Sequence, residues 1–553
     1  MTLTEIINSI SRREKLILLG VAAALFLITA VPFIYGQLMT PSDSIYTPNF
    51  HRTTGDTYVY MSMVEEARQG AWSFHNLFTS ENHPPVLLNP LWWLLGFFAR
   101  FFTLDSGWWL QIARSLLIFI SVPVSYLAIA VFVKKSGTRL LGLALALSVS
   151  GLGYLYYRLV DPSIMPNIFT VEFYSTPTDV WLSEAHPLLM FLASPHFQLS
   201  FICLLFTFIF FYLGMTGGPK RYLVFSGLFN LVLAIFHPYE TVFILFVTLT
   251  FTVVLILWPG VTWKKVGGYL ARFALMVLIT APGLAYQAYV FFGQPVFKSW
   301  AWQSMTVSPN YQYYLWGFGI YVPLAIIGLI VMFRQFNQRY AFVLTWVIVT
   351  IPLLYSPFPF NRRFIEGIFI PLGIISAVAL VAAYEKITAT PAWKRRLFIL
   401  LTGVVLSVAI IPTNFYNWWS FLEVQRQYPV VPFYLPKNER AALEWLKNNT
   451  PPGSVVLSGH IAGFFIPAFS ARPVFIGHDL QTAYFAQKKP MMEWFFRSDT
   501  EDAELKREFL LLNNISYLYY GPNEHSLGSY HPENKNYLTP VFEDGDVTVF
   551  QVI

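Results

Sequence analysis

The chain has 553 residues, of which 55% are hydrophobic, 18% aromatic and only 12% charged. Soluble domains carry about 25% charged residues, so this composition excludes an ordinary soluble protein. Several apolar runs reach about 20 residues, the length that a helix needs to cross a bilayer. The net charge of +6 does not indicate a nucleic-acid partner, because the basic residues collect in loops that are predicted to be cytoplasmic.

The first predicted crossing covers about residues 16–36, with Arg12, Arg13 and Lys15 before it. Basic residues favour the cytoplasmic side, so the N-terminus is predicted to be cytoplasmic. The chain then stays outside until about residue 107. The apolar stretch HPPVLLNPLWWLLGFFARFF in this segment has three prolines near its start. Proline disfavours a continuous helix, so we interpret the stretch as a helix at the membrane interface rather than a crossing.

Ten further crossings are predicted, which makes about eleven helices in a polytopic α-helical membrane protein. Each loop that is assigned to the cytoplasm contains at least two basic residues, as the positive-inside rule requires. The predicted positions are about 108–133, 140–157, 196–216, 222–236, 241–258, 268–290, 315–333, 341–356, 365–384 and 397–413.

The sequence changes character from about residue 430. PKNERAALEWLKNNTPPGSVVLSGH predicts a helix, a Pro-Gly turn and a strand. RPVFIGH, ISYLYYG and PVFEDGDVTVFQVI predict further strands. We therefore predict a transmembrane module at residues 1–425, with an outer loop at about 38–107, and a small extracytoplasmic α/β domain at 430–553. The plasma membrane is the expected location.

Asp56 lies in HRTTGDTYVYMSMVEEARQG, directly after the first crossing. In one interpretation it caps an interfacial helix. In the other it is a general base, because partial loss of water at the membrane boundary raises the basicity of a carboxylate. Such a carboxylate could take a proton from a substrate hydroxyl.

Arg362 and Arg363, in PFPFNRRFIEGIFIPLG, violate the positive-inside pattern. Two adjacent guanidinium groups at the outer mouth of a membrane helix need a counter-charge. Arginine binds phosphate through paired hydrogen bonds, and a phosphate at this depth would belong to a lipid. The alternative is that both side chains reach to lipid headgroups.

Other ionisable residues are scattered over the predicted outer loops. Histidine and carboxylate side chains could ligate a divalent metal, but no spacing here is a recognised metal motif, so the metal question stays open. Glu184, His186, His237 and Glu240 are candidates for lining a cavity or binding an acceptor, since each falls at the outer end of a predicted helix. The remaining members of this set are Asp161, Glu172, Asp179 and His196.

Together these segments resemble the GT-C superfamily of integral membrane glycosyltransferases, especially the protein O-mannosyltransferases and lipid A aminoarabinose transferases. The resemblance rests on GDTYVYMSMVEEARQG, HPPVLLNPLWWLLGFF and NRRFIEGIFIPLG, in that order. It covers roughly residues 1–160 and 355–415. The chain has Gly-Asp where the mannosyltransferases carry Asp-Glu.

The resemblance implies that a sugar passes from a polyprenyl-phosphate donor to a protein, lipid or glycan acceptor on the outer face, with inversion. It further implies that Asp56 is the base, that Arg362 or Arg363 holds the donor phosphate, and that they serve one cavity. The alternatives are a transporter or lipid flippase, which would show internal repeats and charges near the bilayer midplane, and a non-catalytic scaffold.

Overall fold

The computed structural model describes residues 2–50, 52–159, 174–388, 390–499 and 503–553. Asp161 and Glu172 lie outside the described residues. The described chain is mainly helical. Its α-helices are α1 Leu3–Asn8, α2 Arg12–Leu38, α3 Thr54–Gln69, α4 Pro90–Ala99, α5 Ser106–Phe132, α6 Ser136–Leu147, α7 Gly153–Leu159, α8 Pro187–Leu192, α9 Pro195–Met215, α10 Arg221–Phe236, α11 Pro238–Ile256, α12 Trp263–Gly293, α13 Pro295–Gln303, α14 Tyr311–Phe318, α15 Tyr321–Arg334, α16 Gln338–Leu353, α17 Phe369–Lys386, α18 Ala392–Gln427, α19 Lys437–Asn449, α20 Ala462–Ser470, α21 Phe485–Arg497, α22 Ala503–Leu512 and α23 Pro522–His525.

Three short 3₁₀ helices and six strands complete the described elements. The 3₁₀ helices are Thr178–Val180, Asn361–Ile365 and Pro532–Asn534. The strands are β1 Ser44–Tyr46, β2 Tyr434–Pro436, β3 Val455–Leu457, β4 Ile515–Tyr520, β5 Leu538–Asp544 and β6 Val547–Val552.

Seven of the described helices are long and apolar enough to cross a membrane. The pair α14 and α15, which is bent by 87°, adds an eighth crossing if the two helices form one span. The other three predicted crossings fall on α6, α10 and α16, which have 12, 16 and 16 residues. Sixteen helical residues extend about 24 Å, less than the roughly 30 Å hydrocarbon core. The polytopic helical membrane class is confirmed, while length and composition alone support seven or eight crossings in the described part.

The proline-rich outer stretch forms α4, a helix of ten residues. Asn89 caps it by accepting from the backbone N–H groups of Leu91 and Trp92, and Pro90 occupies its first turn. Ten residues extend about 15 Å, so α4 is too short to cross a bilayer. Phe98, Phe101 and Phe102 near its end are exposed, as an interfacial helix requires.

The chain divides into two compact units. Unit 1 comprises residues 1–32, 114–287 and 306–423, and unit 2 comprises residues 33–113, 288–305 and 424–553. Most of the first outer loop therefore belongs to the same unit as the C-terminal segment. The predicted boundary between a membrane module and a C-terminal domain stays a prediction.

Unit 1 has an aromatic core and closely packed helices. The ring of Phe208 lies 4.6 Å from that of Trp346, and Phe251 lies 4.9 Å from Phe342. Gly373 in α17 lies directly against α6, because a Cβ there would come within 2.6 Å of the Ala146 side chain. Small residues of this kind let the backbones of membrane helices approach closely.

Unit 2 contains a four-stranded sheet in the order β3-β4-β6-β5. β3 and β4 are parallel, the other pairs are antiparallel, and Gly545, at φ +62°, turns the β5–β6 hairpin. The predicted helix, turn and three of the four predicted strands are present. The prediction of a strand at RPVFIGH is wrong, because this segment forms only isolated bridges from Val474 to Val456 and from Ile476 to Thr79.

Candidate functional site

Proline fixes the start of three unit 1 helices around the predicted outer-loop residues. Pro187, Pro195 and Pro238 occupy the first turns of α8, α9 and α11. The residue before a proline is driven into extended backbone, so His186 and His237 become N-cap residues of α8 and α11. Neither histidine side chain makes a capping hydrogen bond, and both are buried.

Glu184 supplies a counter-charge for the arginine pair. Its Oε1 lies 2.6 Å from Arg363 Nη1 and 3.8 Å from Arg362 Nη2. Burial alone would raise the pKa of the Glu184 carboxyl, but the charges of Arg363 and Arg362 outweigh it and hold the pKa below its ordinary value. The carboxylate is therefore charged at neutral pH, and two guanidinium groups share one negative partner.

Aromatic faces hold both arginines. Arg362 lies 5.0 Å from the centre of the Trp181 ring, and Arg363 lies 5.7 Å from the centres of the Phe197 and Tyr239 rings. These distances are within cation–π range. The Arg362 Nε is buried and has no hydrogen-bond partner among the described residues. Packing therefore orients both side chains, and Arg362 retains donor capacity for an anionic ligand.

A second group of side chains lies beside this pair. His237 Nδ1 is 2.7 Å from Glu240 Oε2 and 3.9 Å from Glu366 Oε2. Ser200, on α9, donates to Glu366 Oε1 at 2.5 Å. Burial, aided by the charge of Arg363, lowers the pKa of His237 to about 3, so the imidazole is neutral. Sequence reasoning selected His237 and Glu240 but missed Glu366 and Ser200.

His186 takes part in a different set of contacts. Its Nε2 lies 3.2 Å from Thr178 Oγ1, its Nδ1 lies 3.4 Å from the Val149 carbonyl, and its ring packs on Phe318. Burial lowers the pKa of His186 to about 3. Both nitrogens have partners, so His186 is best explained as a structural residue. Of the four cavity candidates, Glu184, His237 and Glu240 lie together and His186 lies apart from them.

Asp56 lies in unit 2, in the first turn of α3. Its Oδ1 is 3.2 Å from His478 Nε2. The backbone N–H of Leu480 donates to His478 Nδ1 at 3.1 Å, so in the neutral ring Nε2 carries the proton and donates to Asp56. The Asp56 side chain remains 41% exposed, whereas that of His478 is 9% exposed. His478 thus orients a carboxylate that is partly exposed.

Glycine makes the approach of His478 to Asp56 possible. A Cβ at Gly55 would lie 2.9 Å from the Phe464 ring and 3.1 Å from the His478 ring. His478 itself follows Gly477, where a Cβ would come 2.5 Å from the carbonyl oxygen of Gly463. A glycine directly before Asp56 is therefore explained by packing against His478.

Arg52 is a second functional candidate that sequence reasoning missed. It precedes α3 in unit 2 and is 6% exposed. Its Nε, Nη1 and Nη2 atoms have no hydrogen-bond partner among the described residues. A buried guanidinium group without a counter-charge is costly, so its position suits an anionic ligand.

Asp179 is buried in unit 1, and in the described part of the chain its carboxylate contacts backbone groups rather than a charged side chain. Its Oδ2 accepts the backbone N–H groups of Gly151 and Gly153, each at 3.0 Å. Its Oδ1 is buried without a hydrogen-bond partner among the described residues. Burial raises the pKa of the Asp179 carboxyl to about 7, against the effect of these two hydrogen bonds.

Asp179→Asn should raise thermal stability most at alkaline pH. A carboxyl group whose folded pKa is raised stabilises the fold at low pH and loses that contribution as pH rises through the folded value. The melting temperature of the variant should therefore exceed that of the wild type increasingly from pH 5 to pH 7, and level off by pH 8. The free-energy difference is at most about 4 kcal/mol. A difference that does not change with pH in detergent melting curves would contradict this.

A cavity of about 760 Å³ lies elsewhere in unit 1. It is lined at the far end of α17 by Glu385 and by the basic side chains of Lys134, Lys135 and Arg339. Glu366 precedes α17 at its other end, and a helix of 18 residues extends about 27 Å. The cavity is therefore separate from the histidine–glutamate group, and none of the predicted site residues lines it.

No protein-family model matches the sequence, and no curated protein sequence matches it. Solved structures do match. The oligosaccharyltransferase of Archaeoglobus fulgidus, in a complex with zinc and sulfate, is 12% identical with a TM-score of 0.53, over 90% of this chain and 67% of that one. Its apo form is 12% identical with a TM-score of 0.52, over 90% of this chain and 69% of that one. ArnT of Cupriavidus metallidurans is 14% identical with a TM-score of 0.46, over 97% of this chain and 98% of that one. The two oligosaccharyltransferase structures, whose TM-scores exceed 0.5, confirm the predicted GT-C-like fold.

Proposed function

We propose that this protein is a glycosyltransferase that moves a sugar from a polyprenyl-phosphate donor to an acceptor hydroxyl on the outer face of the membrane. The observation that carries the proposal is the open, hydrogen-bonded carboxylate of Asp56 in a chain with the fold of an oligosaccharyltransferase. Because fold alone does not fix function, the proposal depends on the chemistry of Asp56 with His478 and of the arginine pair.

The arginine pair is the proposed donor-phosphate site. Two guanidinium groups face a single carboxylate, Glu184, so one positive charge remains for an anion. Arg362 and Arg363 are held on aromatic faces, and a pre-oriented guanidinium group binds phosphate oxygens with little loss of side-chain entropy. As the donor phosphate leaves, its growing negative charge is stabilised by the same groups. Arg52 would supply another cation for an anionic part of a substrate.

Asp56 is the proposed general base. The acceptor oxygen attacks the anomeric carbon, the bond from that carbon to the phosphate oxygen breaks, and the electron pair leaves with the polyprenyl phosphate. The proton of the acceptor hydroxyl passes to Asp56, and attack opposite the leaving group inverts the anomeric centre. His478 donates to Oδ1 of Asp56 and orients the carboxylate. The acceptor is a protein, lipid or glycan.

The membrane orientation follows the positive-inside rule. We propose that the N-terminus is cytoplasmic and that the first outer loop and the C-terminal domain lie outside, in the plasma membrane of the cell. Cysteine labelling from the outside at exposed Ser526 and at exposed Lys394 should modify only the first, in variants in which the buried Cys203 is replaced.

Gly55→Ala tests the positioning of Asp56. The new methyl group must displace the ring of His478 or Phe464, which weakens the hydrogen bond to Asp56. We expect the transfer rate to fall roughly tenfold, equivalent to about 1.4 kcal/mol. Gly137→Ala is the matched control, because a Cβ there meets nothing within 4 Å. Equal rates for Gly55→Ala, Gly137→Ala and the wild type would argue against this role of His478.

A further inference from the structure

Three side chains of types that can ligate a metal ion converge in unit 1, near the starts of α11 and α17. His237 precedes α11, Glu240 lies in its first turn, and Glu366 lies between the Asn361–Ile365 3₁₀ helix and α17. One ligand atom from each lies within 4.8 Å of the other two. All three residues are buried, and Glu240 is fully so.

The two carboxylates lack the partners that buried charges require. Both oxygens of Glu240 and the Oε2 of Glu366 are buried, and apart from an interaction between these two carboxyl groups they have no hydrogen-bond partner among the described residues. The 2.7 Å contact from His237 Nδ1 to Glu240 Oε2 is close but does not have hydrogen-bond geometry. A buried carboxylate without a partner is strongly unfavourable, and two such groups side by side are more so.

The charges of the side chains around this group favour a bound cation. Glu184, Glu240 and Glu366 are three carboxylates, whereas Arg362 and Arg363 are the two guanidinium groups that interact with them. If all three carboxylates are ionised, as ligands of a metal ion must be, they exceed the two guanidinium groups by one. Because Arg363 is already held by Glu184 at 2.6 Å, it does not compensate Glu240 and Glu366 fully.

We propose that His237, Glu240 and Glu366 form a binding site for one divalent transition-metal ion, with zinc the best match. Zinc binds histidine nitrogen and carboxylate oxygen at about 2.0–2.2 Å in tetrahedral geometry, which places neighbouring ligand atoms about 3.4 Å apart. The observed separations of 2.7 and 3.9 Å lie on either side of this value. Magnesium, which prefers oxygen ligands and retains its waters, is a poorer match to a site with an imidazole.

The surroundings of the three ligands resemble those of a metal site that retains an open position. Ser200 donates to Glu366 Oε1, its Oγ also lies 3.2 Å from His237 Nδ1, and Glu366 Oε2 lies on the side of His237. Three protein ligands leave the fourth tetrahedral position for a water or a substrate oxygen. This site is independent of the proposed function, since it depends on unit 1 residues alone and does not include Asp56.

Metal binding can be measured on the purified full-length protein without any donor. We expect about one zinc per chain by elemental analysis after purification without chelator. After chelator treatment, adding zinc chloride should raise the melting temperature in detergent. Glu366→Gln and Glu240→Gln should each weaken zinc binding more than about 100-fold, because loss even of an outer-shell partner costs 10–100-fold. His186→Gln is the matched control, a buried histidine of the same unit whose nitrogens have partners.

Two results would overturn the proposed metal site. If the chelator-treated wild type shows no change in melting temperature with millimolar zinc, manganese, magnesium or calcium, the site does not exist. If the glutamine variants do not fold, the titration of the wild type still tests whether the metal site exists. Stoichiometric zinc that persists in both glutamine variants and in the control would place the ion elsewhere and overturn the assignment. Each result can be obtained whether or not sugar transfer is detected.

Discussion

Replacement of Asp56 by asparagine is expected to lower the rate of sugar transfer by about 10²–10⁴-fold, the usual contribution of a general base. Asparagine has the same shape and can still accept the hydrogen bond from His478 Nε2, so the local structure should persist. Donor binding should be unchanged, since the proposed phosphate ligands are Arg362 and Arg363. The rate is measured with labelled polyprenyl-phosphate sugar in membranes that contain the variant.

Asp43→Asn is the matched control for Asp56→Asn. Asp43 also lies in the first outer loop of unit 2, where its carboxylate accepts a hydrogen bond from the Ser44 hydroxyl at 3.1 Å and is exposed. The control should transfer sugar at the wild-type rate. Transfer by Asp56→Asn at the wild-type rate, with normal melting behaviour, would remove Asp56 from the mechanism.

Replacing Arg362 and Arg363 together should weaken donor binding, but the double variant needs a compensating change. Without both guanidinium groups, Glu184 is left as an uncompensated buried charge, which costs about 3–5 kcal/mol. The triple variant Glu184→Gln, Arg362→Gln, Arg363→Gln removes all three charges. It should melt at a higher temperature than the double variant and still bind polyprenyl phosphate about 10–100-fold more weakly than the wild type, because charged hydrogen bonds contribute about 1.5–3 kcal/mol.

Glu184→Gln alone separates binding from stability. It keeps both arginines and removes the carboxylate that competes with the donor phosphate, so its affinity for polyprenyl phosphate should equal or exceed that of the wild type. If the triple variant is stable and binds polyprenyl phosphate as tightly as the wild type, the arginine pair is not the phosphate site. Binding is measured by titration of purified protein with the lipid.

Local sequence signals predicted the fold class and much of the fold. Apolar length identified the membrane helices, and the prolines before α4 correctly predicted that this stretch is not a crossing, since α4 has only ten residues. Pairings between distant segments could not be predicted. Ser44–Tyr46 pairs with Tyr434–Pro436 as β1 and β2, and three residues on each side carry too little pattern to be detected.

The candidate site was predicted where a residue broke a local rule. Arg362 and Arg363 violated the positive-inside pattern, and the required counter-charge is Glu184, itself selected from the sequence. Glu366 was missed because it stands alone at the start of an apolar helix. His478 was missed because it lies 422 positions after Asp56, in a segment that the sequence predicts as a strand.

The central claim is that this protein transfers a sugar from polyprenyl phosphate, and the most direct test is the fate of a labelled donor. Purified wild-type protein in lipid nanodiscs is incubated with polyprenyl-phosphate sugar and the total membrane fraction of the source cells as acceptor. We predict that label moves to the acceptor, that free polyprenyl phosphate forms in equal amount, and that Asp56→Asn prevents both. Recovery of intact donor, together with movement of that donor between the leaflets of vesicles that contain the protein, would contradict the account and indicate a flippase.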